Sequence, residues 1–81
     1  MALNTLQITV LHWFYTCHRN GEPATFKGSL QHFGEVLRIN EPMEVIKSLL
    51  DMGFISISKS KPEVSITKAG IQAYESIKKK S

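Results

Sequence analysis

Eighty-one residues with 42% apolar content suffice for one small packed domain, residues 1–81, and argue against general disorder. No apolar run approaches the roughly 20 residues that span a bilayer, and one cysteine cannot form an internal disulfide. The formal charge of +3 leans mildly towards an anionic partner, although Lys78-Lys79-Lys80 supplies part of the excess. The start of the chain lacks a basic stretch, apolar run and cleavage site, so a cytoplasmic location is expected. A chain this short buries only about 60% of its unfolded surface, so dimerisation would help it.

The first predicted helix opens with Asn4 as N-cap, Gln7 as its capping-box partner, and Leu3 and Ile8 at staple positions. Leu3, Leu6, Val10, Trp13, Phe14 and Cys17 share one apolar face, with Ile8, Leu11 and Tyr15 in a second patch beside it. One face meets the core. The second meets either the last helix or another subunit, and Ile8, Leu11, Trp13 and Tyr15 are the candidate protein-interface residues. Phe14 is the expected core residue of the aromatic run, flanked by Trp13 and Tyr15. The alternative to an interface is a central helix packed on several sides.

Asn20-Gly21-Glu22-Pro23 ends that helix. Ala24-Thr25-Phe26-Lys27 has the makings of a short strand able to join a hairpin as its third member. A second helix is expected from Gly28-Ser29, with Ser29 as cap and Leu30, Phe33, Val36 and Leu37 inward. Gly34 within it weakens the helix by about 1 kcal/mol relative to Ala. Arg38 to Pro42 is a turn, and a third helix runs from about Glu41 to Met52, with Val45, Ile46, Leu49 and Leu50 at helical spacing. Gly53 stops it. Phe54–Ser58 and Val64–Ile66 alternate as strands around the turn Lys59-Ser60-Lys61-Pro62-Glu63. Thr67 then caps a last helix whose stripe is Ile71, Tyr74 and Ile77, ending in lysines that suit its negative pole.

The order helix, Gly stop, hairpin, Thr-x-x-Gly, helix has a known counterpart. LLDMGFI followed by SITKAGIQAY resembles the second half of a winged helix-turn-helix domain of the MarR and PadR kinds of bacterial transcriptional regulator, over roughly residues 29 to 77. The resemblance implies an α+β fold with a three-helix core, a short β-hairpin wing and a C-terminal helix. It also implies a dimeric regulator that binds double-stranded DNA with its third helix in the major groove.

The candidate DNA contacts are Lys27, Arg38, Asn40, Lys47 and Ser48, with Lys59, Ser60 and Lys61 on the wing. Lysine and arginine neutralise phosphate, and such contacts position a protein without reading sequence. Lysines on short edge strands also serve simply to discourage aggregation. The third helix complicates matters, because its outward residues read Glu41, Glu44, Lys47, Ser48 and Asp51. Glutamate accepts from cytosine but repels phosphate, and it equally suits the positive end of a helix without any DNA. The competing expectation is therefore a winged-helix module for a protein partner, using this acidic face or the aromatic first helix. No catalytic residues, metal site or cofactor are expected. Cys17 falls on the apolar stripe, and Cys17, His12, His18 and His32 lack zinc-ligand spacing.

Overall fold

The computed structural model describes residues 3–80, leaving out the Lys80 side chain, so that part of the expected basic end lies outside the described residues. The elements are α1 (Thr5–Asn20), β1 (Ala24–Thr25), α2 (Phe26–Glu35), α3 (Pro42–Asp51), β2 (Ile55–Ile57), β3 (Glu63–Ile66) and α4 (Lys68–Lys80). The fold is α+β: four helices and one antiparallel sheet in the order β1-β3-β2. Ala24 pairs with Val64 on one side of β3, and Ile55 pairs with Ile66 on the other.

α1 begins as its sequence dictates. The Gln7 N–H donates to Asn4 Oδ1 at 2.8 Å and the Asn4 N–H to Gln7 Oε1 at 2.9 Å, which completes the capping box. It ends where Gly21 takes a φ of 70°. Between these ends α1 is the centre of the molecule. Val10, Leu11 and Phe14 are fully or almost fully buried, with Phe33 of α2, Ile46 and Leu49 of α3, and Ile55 and Val64 of the sheet completing the core. Truncating Phe14 or Phe33 to alanine would cost about 3–5 kcal/mol.

The second apolar patch of α1 is covered within the chain. Tyr15 packs on Tyr74 of α4 with ring centroids 4.5 Å apart, and the Tyr15 hydroxyl donates to Glu75 Oε2 at 3.1 Å. Leu11 has no exposed surface, and Tyr15 is buried. Both are taken up within the chain, Leu11 by the core and Tyr15 by α4. Trp13 is half-buried and turned towards α2, where it stacks on His32 at 5.0 Å and meets Phe33 edge-on at 5.2 Å. Ile8 is half-buried. Leu6, expected inside, stands out into solvent instead.

α2 starts earlier than its sequence suggests. Thr25 is both the last residue of β1 and the helix cap, its hydroxyl accepting from the Gly28 N–H at 3.0 Å. Phe26 and Lys27 are therefore helical rather than extended. Ser29 is no cap but a buried interior residue whose hydroxyl donates to the Thr25 carbonyl at 2.6 Å. The helix closes by Glu35, so Val36 and Leu37, expected inside, are exposed. Ile39 re-enters the core, its N–H reaching the Phe33 carbonyl at 2.9 Å, after Arg38 turns through a φ of 54°. A β-carbon on Gly34 would meet nothing, so that glycine serves no close packing.

Gly53 ends α3 with a φ of 79°. Thr67 ties this stop to the next start: its hydroxyl donates to the Gly53 carbonyl at 2.6 Å and accepts from the Gly70 N–H at 3.1 Å. Gly70 is where α4 meets the hairpin. A β-carbon there would collide with the Phe54 carbonyl oxygen and stand 2.8 Å from Ile66 Cγ1.

Candidate nucleic-acid and protein interfaces

The eight residues expected at DNA fall into separate groups. Lys59, Ser60 and Lys61 are exposed on the loop between β2 and β3, where the Ser58 and Ser60 hydroxyls lie 3.2 Å apart. Lys27 joins them through the backbone. The pairing of β1 with β3 and the 2.9 Å bond from the Phe26 N–H to the Pro62 carbonyl seat the first turn of α2 against the loop. Three exposed lysines from two distant stretches thus share one end of the molecule, beside the positive pole of α2. Nearby carboxylates belong to Glu22 and Glu63, which line an adjacent cleft of about 270 Å³ with Cys17 and His18. Burial, and secondarily Glu22, raises the Cys17 thiol pKa above its usual value.

Arg38, Asn40 and Ser48 lie elsewhere. They line a cleft of about 510 Å³ between the first turn of α1, the α2–α3 turn and the start of α3. Ser48, expected on the outward face of α3, is turned towards α1. Its hydroxyl donates to the Val45 carbonyl at 2.7 Å and accepts from Gln7 Nε2 at 3.1 Å, so both of its bonds are made within the chain. Lys47 is exposed on α3.

α3 starts without a side-chain cap, with Pro42 in its first turn. The Glu41 carboxyl is raised above its usual range first by a hydrogen bond with Glu44 and then by the charge of that same neighbour. The two glutamates stand near each other at the beginning of the helix, where the Glu44 N–H donates to the Glu41 carbonyl at 3.2 Å, and Glu44, Lys47 and Asp51 are exposed along it. Sequence reasoning missed the cleft itself. Its only advance signal was Leu6, an apolar residue on a helix with more apolar positions than one core can absorb.

Among the described residues no group of three or more His, Cys, Asp or Glu could hold a metal ion, and no helix is long and apolar enough to cross a membrane. His12 pairs instead with the Tyr74 hydroxyl, and His32 with the Trp13 ring. No family model, no curated protein and no solved structure matches the chain.

Proposed function

We propose that this chain is a winged-helix protein that binds duplex DNA through its wing end, as a small transcriptional regulator. The element order α1-β1-α2-α3-β2-β3-α4 and the strand order β1-β3-β2 support the winged-helix assignment. The observation that carries the DNA reading is the gathering of Lys27, Lys59 and Lys61 by the Phe26–Pro62 hydrogen bond. In this reading the wing and the first turn of α2 take the phosphates, while Lys47 adds a contact from α3. Base reading by α3 is minor, because Ser48 is engaged with Gln7 and Glu44 and Asp51 repel the backbone.

The test is a titration of labelled random-sequence duplex at low and physiological salt. Binding should weaken steeply with salt, and Lys59→Glu with Lys61→Glu should weaken it across all sequences and flatten the salt slope by about 2. Absence of binding at low salt would end the DNA reading. A second reading, a protein-docking module without DNA function, is favoured by the Glu41–Glu44 pair at the start of α3.

A further inference from the structure

We infer that the cleft between the start of α1 and the start of α3 receives the wing of a second copy of this chain, so that two copies exchange wings in a reciprocal dimer. Among the described residues the exposed large apolar side chains are Leu6, Val36, Leu37, Met43 and Ile57, and their placement is uneven. Leu6 lines the cleft, while Val36, Leu37 and Met43 stand on or within two residues of its lining. Ile57 alone is on the hairpin, at the base of the loop that carries Lys59 and Lys61. Each surface therefore has apolar area together with charge, and the charges are opposite. The cleft lining holds the carboxylates of Glu41 and Glu44 against the single guanidinium of Arg38. Adjacent carboxylates gain from a cation supplied between them, and a lysine-bearing loop supplies it.

The chain cannot satisfy itself in this way. The cleft lies at the first turn of α1, whereas the wing sits beside β1, beyond the last turn. α1, 16 residues and about 24 Å long, runs from the one towards the other. Two copies related by a two-fold axis bring each wing to the other's cleft, closing both contacts at once and leaving no open end. The arrangement also uses the lysines assigned above to phosphate, so self-association and DNA compete for one surface. The pairing itself stands without that assignment, because its test contains no DNA.

Sedimentation equilibrium over a concentration series in low salt reads the association directly. The wild-type mass should rise from monomer to dimer, and salt should oppose the rise. Glu41→Lys with Glu44→Lys should weaken the dimer at least about tenfold, and so should Lys59→Glu with Lys61→Glu in a separate chain. Mixing these two chains, each checked for helical content by circular dichroism, should restore a 1:1 dimer, since both reciprocal contacts regain opposite charges. A monomeric wild type throughout the series overturns the inference. So does a dimer that either charge reversal leaves intact, or a mixture of the two variants that stays monomeric.

Discussion

Two helices in this protein begin with the same four-residue pattern, and the pattern does different work in each. Thr25-Phe26-Lys27-Gly28 opens α2 and Thr67-Lys68-Ala69-Gly70 opens α4, and in both the threonine hydroxyl accepts from the glycine N–H. At α2 the space beside the glycine is bounded only by the capping side chain itself, since a β-carbon on Gly28 would meet Thr25 Oγ1. At α4 it is bounded by backbone, the Phe54 carbonyl at the entry to the hairpin. A side chain can rotate away, whereas a carbonyl held in a sheet entry cannot. The Thr67 N–H binds that same Phe54 carbonyl at 2.9 Å, so cap, strand entry and helix start are locked into one unit. The lesson is that a capping motif fixes where a helix begins, and its surroundings decide whether the helix can also move.

Substitutions at these two sites separate the roles. The largest effect is expected from Gly70→Ala, which must push α4 off the hairpin or bend the Phe54 entry; a loss of about 3 kcal/mol should appear in chemical denaturation. A loss below about 1 kcal/mol would mean the helix slides freely and the contrast fails. Thr67→Ala removes a cap and the bond to Gly53, and should cost about 2 kcal/mol in the same measurement. Gly28→Ala is the smallest. Displacing the Thr25 hydroxyl costs about 1 kcal/mol, and alanine's helix preference returns nearly as much, so the midpoint should hardly move.

The same comparison explains how far the sequence could be read. The start of α1, the Gly53 stop and the Thr67 cap are announced by their own residues, because the defining bond or backbone angle of each lies within a few residues, although Thr67 also reaches back to Gly53. The start of α2 is also local, but Thr25 serves the strand and the helix together, and no linker separates the two. Ser29, a good capping residue four positions on, drew the boundary to itself, while its hydroxyl in fact turns back to the Thr25 carbonyl. Val36 and Leu37 continue the apolar spacing of a helix that has already ended, so periodicity placed them inside. At the candidate sites the missing information is long-range. Lys27 reaches the wing through a bond between residues 26 and 62, and Ser48 is turned by Gln7, 41 residues away in sequence. Which flank of α1 lies inside was equally open, because a helix apolar nearly all round does not say where its neighbours dock. Tyr74 settles that for Tyr15.

Cys17 gives the molecule an internal reporter of folding. Its thiol is buried against the end of α1, and burial keeps it protonated, so the nucleophilic thiolate is scarce while the fold is shut. A disulfide reagent should therefore react more slowly with the native protein than with the unfolded chain. One atom, already in place, thus reports whether the wing end is folded without any label being introduced.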